Sequence, residues 1–318
     1  MNKYNTPGFL GNGGMVAGLF ARIERDNLAQ TVLFTGPEGS GKKTLAARVA
    51  QKLLCPETCG RCPSCKMLAK GIHPDYLLLG PDGDSLKLEQ AQQLKAFLSS
   101  PPSLASRKVA VLAQCQRLTV EAANSLLKVL EEPPSPSYCL LTADSAADVL
   151  ATLVSRSQVF ALAPLPRDTV AEVLKGKKLS ADQTWFLLEY SQGILGRALS
   201  LSADGDFWQR REEIALAVPE ILAGRGDPLL AAEGWQDSPE SLALLEFWLR
   251  DLVLLQAVPD FTPANRDYGG ALAQCLAVCP AKKSRALLDQ CQRAREYLQA
   301  RCNARLVFDC LALMMWEV

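Results

Sequence analysis

The sequence contains a single histidine, His73, in 318 residues. Chemistry built on an imidazole, such as a Ser-His-Asp or Cys-His arrangement, would have to rest on that one residue, and no nucleophile motif accompanies it. His73 stands in Gly71-Ile72-His73-Pro74-Asp75, where it reads as a turn leading into a strand. Net charge is missing as well: 34 Lys and Arg balance 34 Asp and Glu. No global field therefore draws the chain to nucleic acid, and any DNA contact must be local or supplied by partners. Basic and aromatic residues are not interleaved, which counts against a stand-alone zinc-dependent nucleic-acid binder. No apolar run reaches membrane-spanning length, and residues 1–14 lack the apolar core of a signal peptide. A cytoplasmic chain without membrane contact is expected. Internal repeats and low-complexity tracts are absent too. The remaining composition, 48% hydrophobic and 21% charged, is that of an ordinary globular chain of two or three domains.

The most informative stretch runs from Thr31 to Ala50. An apolar run, Val32-Leu33-Phe34, reads as a buried strand. The turn Gly36-Pro37-Glu38-Gly39-Ser40-Gly41 follows, and Lys42 opens a segment with Leu45, Ala46, Val49, Leu53 and Leu54 at helical spacing. Strand, glycine loop and helix in this order are the context of a P-loop, whose backbone N–H groups and helix N-terminus cradle phosphate. Lys42 would reach the outer phosphates. Two features of an ATPase are missing. The pattern needs a hydroxyl directly after the lysine to hold Mg²⁺, yet Lys43 stands there and Thr44 comes one residue late. An ammonium has no lone pair and repels a metal. The strand Lys108 to Leu112 should end in a carboxylate that serves the same metal, but it runs into Ala113-Gln114-Cys115-Gln116. Two independent losses argue against hydrolysis by this chain.

Cysteine is plentiful. Of 11 cysteines, Cys55, Cys59, Cys62 and Cys65 fall within eleven residues, punctuated by Pro56, Gly60 and Pro63. Four thiolates so close in a reducing compartment match tetrahedral Zn²⁺, and four such ligands leave no place for a catalytic water, so the site is structural. The other seven, Cys115, Cys139, Cys275, Cys279, Cys291, Cys302 and Cys310, lie among apolar neighbours and are expected to be small core residues.

The pattern continues with a helix on Val16, Leu19, Phe20 and Ile23, preceded by Gly8 to Asn12, either a loop or a neighbour of an adenine ring. A strand at Tyr76 to Leu79, helices around 86–98 and 121–130, and a strand at Tyr138 to Thr142 complete an alternation that predicts a parallel α/β layer. Beyond residue 167 only helical periodicity remains, with breaks near 224–228, 259–263 and 279–280.

Together, the P-loop, the four-cysteine insert, Asn124-Ser125-Leu126-Leu127-Lys128-Val129-Leu130-Glu131-Glu132-Pro133-Pro134, Ser155-Arg156-Ser157 and Gly193-Ile194-Leu195-Gly196-Arg197 resemble the bacterial AAA+ clamp-loader family. The resemblance implies a P-loop (AAA+) domain over 1–163 with a zinc module at about 55–66, a three-helix lid over 164–204, and an all-α collar over 205–318. It implies a degenerate phosphate loop at Gly36, Gly39, Ser40, Gly41, Lys42, Lys43 and Thr44, with ATP binding in doubt. Arg156 becomes an arginine finger reaching a neighbouring subunit's ATP, and Arg197 the lid's sensor. The sequence departs from the family in having Ser157 where a cysteine is usual and a shorter gap between Cys55 and Cys59. The implied role is a non-hydrolysing ring subunit. Its partners would be the ATPase (gamma/tau) subunits, the clamp-opening delta subunit, the sliding clamp (beta) and primer–template DNA. The competing reading is an active gamma/tau-like ATPase with Lys42 and Thr44 in slipped register.

Overall fold

The computed structural model describes residues 10–134, 136–236 and 238–317; Gly8 and Phe9 of the first glycine-rich segment lie outside them. The chain divides into two compact units. The first runs to Val170 and takes in Gly193–Arg197; the second holds Ala171–Gln192 and everything from Ala198 onward.

In the first unit the elements are α1 (Gly13–Glu24), β1 (Thr31–Thr35), α2 (Lys42–Leu54), α3 (Pro63–Ala69), β2 (Tyr76–Leu79), α4 (Leu88–Ser99), β3 (Lys108–Leu112), α5 (Val120–Glu131), β4 (Ser137–Ala143), α6 (Ala151–Val154) and β5 (Gln158–Ala161). All five strands pair in parallel, in the order β2-β3-β4-β1-β5. The expected parallel α/β layer is present, with β1 and its glycine loop near the middle.

The strands are apolar on both faces because helices cover both. Val32, Phe34, Val109, Val111 and Leu140 pack with α1 and α2 through Val16, Leu19, Leu45 and Val49. Leu33, Ala110, Leu112, Cys139 and Leu141 pack with α4 and α5 through Leu94, Leu98, Ala123 and Leu126. Successive side chains of one strand thus enter different cores, as the period of two requires. Truncating a side chain such as Leu33, fully buried, costs about 3–5 kcal/mol.

Three features escaped the periodicity. The short helix α3 carries Cys65 inside the cysteine segment, α6 is a single turn, and β5 is an edge strand of four residues. The second unit contains only helices and turns among its described residues. Phe186, Tyr190, Phe207, Trp208 and Phe247 form its aromatic centre, and the Arg211 guanidinium lies 3.8 Å from the Phe186 ring centroid. The same Arg211 is bidentate to Asp267, at 2.8 and 2.6 Å. Its helices break near the expected points and also before Pro239 and Asn303.

The expectation that seven cysteines are core residues is corrected for two. Cys115, Cys139, Cys275, Cys279 and Cys291 are buried, whereas Cys302 and Cys310 are exposed. On the last helix, Ala304–Trp316, the buried stripe is Val307, Phe308, Leu311, Ala312 and Met315; Cys310 falls between its steps and points outward.

Candidate functional site

Helix α2 carries a candidate site at each end. At its start, the N-cap is Gly41, at φ 93°, which offers no side-chain acceptor, and no acidic residue lies in the first turn. Lys42 is 8% exposed. Its ammonium donates to Gly36 O at 2.5 Å, Pro37 O at 3.0 Å and Asp144 Oδ1 at 2.9 Å. An ammonium has three donors, so every one is used inside the chain. Ser40 N–H also turns inward, to Pro37 O at 3.1 Å. Lys43 and Thr44 are both exposed.

Asp144 is the residue that sequence reasoning missed. It directly follows β4, at the carboxyl end of a central parallel strand, where open α/β sheets place their ligand-binding groups; that position was the available signal. Gln116 Nε2 donates to its second oxygen at 2.7 Å, and Gly36 N–H donates to its carbonyl at 3.1 Å. Ala113, at the end of β3, is buried with no carboxylate beside it in sequence, as expected, but an acid arrives from the neighbouring strand.

The loop is also covered. Gly196 N–H donates to Gly39 O at 3.0 Å, and a Cβ on Gly196 would sit 2.5 Å from that oxygen. Only two glycines allow this approach. The turn Gly193–Arg197 therefore lies on the loop tip, with the Arg197 backbone beside Gly39. On the amino side, Asn12 exchanges hydrogen bonds with Ala163, at 3.1 and 3.0 Å.

At the other end of α2, Cys55 is the C-cap. Its sulfur joins those of Cys59, Cys62 and Cys65, all within 4.8 Å of one another. Cys55 lies 3.9 Å from Cys59 and 3.7 Å from Cys62. A tetrahedron on metal–sulfur bonds of about 2.3 Å has edges of about 3.8 Å, so the donor set fits a metal ion. The shorter Cys55–Cys59 gap does not exclude Cys55. Backbone N–H groups point at the sulfurs: Cys62 N donates to Cys59 Sγ at 3.4 Å and Cys65 N to Cys62 Sγ at 3.3 Å. The N–H groups of Arg61 and Cys62 lower the Cys59 thiol to about 6, the direction a thiolate ligand needs. Gln51 Nε2, on α2, lies 3.8 Å from Cys65 Sγ.

His73 ties this segment to the sheet. Its Nδ1 accepts the Asp75 N–H at 3.0 Å, which leaves the proton on Nε2 to donate to Ser64 Oγ at 2.8 Å. Ser64 in turn reaches Leu54 O at 3.4 Å. Burial lowers the His73 pKa against the pull of Asp75, so the ring is neutral. The turn role expected for His73 describes what it does.

Arg156 lies apart from these groups. Its guanidinium, one-third exposed, bonds Thr152 O at 3.1 Å and Glu131 Oε1 at 3.2 Å.

The chain is similar to known proteins. A family model described as "DNA polymerase III, delta subunit" matches residues 12–166. The DNA polymerase III subunit delta′ of Escherichia coli is 31% identical over 275 residues, covering 82% of this chain and 80% of that protein. The Bacillus subtilis subunit delta′ is also 31% identical, over 65% of this chain and 64% of its own length. The Bacillus subtilis subunit tau is 24% identical over 71% of this chain and 46% of its own. With that identity sustained over four-fifths of the Escherichia coli protein, the chain belongs to the DNA polymerase III subunit delta′ family.

Proposed function

We propose that this chain is the non-hydrolysing stator of a clamp-loader ring, which places a sliding clamp on primed DNA at the expense of ATP bound by its neighbours. The observation that carries the reading is Lys42, whose three donors are consumed by Gly36, Pro37 and Asp144. A lysine so engaged has nothing to offer a γ-phosphate, and Lys43, standing where the hydroxyl that ligates magnesium belongs, has no lone pair to give the metal. In this reading Arg156 is the finger presented to the ATP of a gamma/tau-type subunit, where a guanidinium stabilises charge on the transferring phosphoryl group. Arg197 closes the turn over that loop. The division at 1–163, 164–204 and 205–318 into P-loop domain, lid and collar belongs to the same proposal, as do the delta subunit, the sliding clamp and primer–template DNA as partners.

The four thiolates would hold Zn²⁺ at a closed, structural site. With all positions taken by sulfur, the ion supplies cross-linking and no chemistry. The cysteine segment is then a clip between the end of α2 and the start of α3.

The test is clamp- and DNA-stimulated ATPase in a ring reconstituted with the delta, gamma/tau and clamp proteins. Arg156→Ala should slow turnover by about 10³-fold at the site it completes, while Lys42→Ala leaves total turnover unchanged. Loss of a share of turnover in Lys42→Ala would establish instead an active, slipped-register ATPase.

A further inference from the structure

We propose that Asp144 stands in for a phosphate group at the P-loop, and that its charge is what keeps polyphosphate anions out. The inference rests on the reading of the loop as a non-hydrolysing one. Lys42 is 8% exposed as a residue, and a cation so buried needs a counter-charge. Among the described residues, Asp144 is the one carboxylate within ion-pair distance of it, at 2.9 Å. The two other acceptors, the carbonyls of Gly36 and Pro37, are neutral. In a loop that binds nucleotide, the counter-charge is the ligand itself; here the chain provides it from the end of β4.

Asp144 is held in this position. Gln116 fixes its second oxygen at 2.7 Å, and Gly36 N–H anchors its backbone at 3.1 Å. Behind it, the rest of an anion cradle is present. The first-turn N–H groups of α2 face a Gly41 N-cap without a side chain and meet no acidic residue, and the next residue, Lys43, adds an exposed cation. The Ser40 hydroxyl is buried without a hydrogen-bond partner. What an incoming phosphate would meet is the carboxylate, a like charge at the place where it should contact Lys42. Asp144 keeps 41% of its side chain exposed, so substituting it does not open an apolar cavity.

The experiment is calorimetric titration of the full chain, metal retained, with inorganic pyrophosphate in magnesium-free buffer. Wild type, Asp144→Asn, Asp144→Ala and the double variant Asp144→Asn/Lys42→Met are compared, each checked by thermal melting. The Asn variant preserves shape and the Ala variant clears space, so the result does not hang on one protein folding. We expect either single variant to bind pyrophosphate at least about tenfold more tightly than wild type, and the gain to vanish in the double variant. Equal binding by wild type and variants, absence of binding by the folded variants, or a gain that survives Lys42→Met would overturn the proposal. The readout is independent of the ring: pyrophosphate binding can fail to appear while Arg156→Ala still slows turnover, and the reverse.

Discussion

The two ends of helix α2 make opposite use of polar groups. At the amino end, Lys42 has every donor satisfied by its own chain. At the carboxyl end, four sulfurs converge within 4.8 Å with N–H groups directed at them, a donor set that could hold a metal ion. One helix thus joins a glycine loop whose lysine is engaged from within to a thiol cluster that could hold an ion from outside. The contrast is between a loop whose lysine spends its donors internally and a cluster whose sulfurs all face one centre. It also makes a strong prediction, that removing the external partner should matter at one end and not at the other.

The largest effect is expected at the cysteines. Stripping the metal with a chelator, or substituting Cys62→Ala, should unfold the segment between α2 and α3 and cost about 4 kcal/mol or more, lowering the melting midpoint by roughly 10 °C. Elemental analysis should find one zinc per wild-type chain and none in the variant. A metal-free chain that melts like wild type would remove the distinction between the two ends.

Next comes an anchor that needs no metal, the carboxylate that ties the start of β2 to the loop before β3. Asp75, fully buried, accepts N–H groups of Ser103, Leu104 and Ala105 at 2.6, 2.7 and 2.7 Å. Burial pushes its carboxyl up, but the three N–H bonds outweigh that, and the net pKa is lowered. Asp75→Ala strands three donors and should cost about 3 kcal/mol at neutral pH. The sign in acid follows from linkage. A carboxyl whose folded pKa is depressed stabilises fully above its unfolded value, about 3.9, and loses that contribution as pH falls through the folded one. The gap between wild type and Asp75→Ala in urea melts should therefore narrow below about pH 4. A gap independent of pH would mean that the carboxylate is not the group that matters.

At the amino end the same kind of substitution should do little. Lys42→Met removes a buried cation while leaving Asp144 half-exposed and bonded to Gln116, so a loss of about 1 kcal/mol is expected in the same melts. In a working P-loop that lysine carries catalysis; here its removal is expected to be mild in both stability and ring turnover. A loss above about 3 kcal/mol would show that the loop is a structural clasp and not a retired site.

Much of this comparison could be read from residues alone. Strand, glycine loop and helix followed from Val32 to Leu54, the thiol cluster from the spacing of Cys55 to Cys65, and the missing ligands from Lys43 and Ala113. What escaped was anything that joins distant positions. Asp144 lies 102 residues from Lys42, and no local pattern relates them until β4 is set beside β1. The contact of Gly196 with Gly39 depends in the same way on a turn far along the chain. Cys310 was misplaced because cysteine's usual burial was applied without the phase of the helix, and Cys302 because it falls in the turn between the last two helices. Periodicity reports which face is apolar, but not which charges meet at the end of a sheet.

Arg156 gives the smallest expected effect in the isolated chain and the sharpest one outside it. Its ion pair with Glu131 spans 3.2 Å, with side chains 33% and 55% exposed, so solvent screens most of its attraction, and exposed pairs of this kind contribute about 0–1 kcal/mol. Arg156→Ala should shift the melting midpoint of the chain alone by no more than about 2 °C. An arginine retained at the surface for folding would cost more than that; one retained for a partner would cost nothing until the partner is present. The pair of measurements, melting of the chain and turnover of the ring, therefore separates the two roles. A stable Arg156→Ala chain in a slow ring assigns the guanidinium to the neighbour's site, whereas a destabilised chain in a normal ring assigns it to Glu131 and the end of α5.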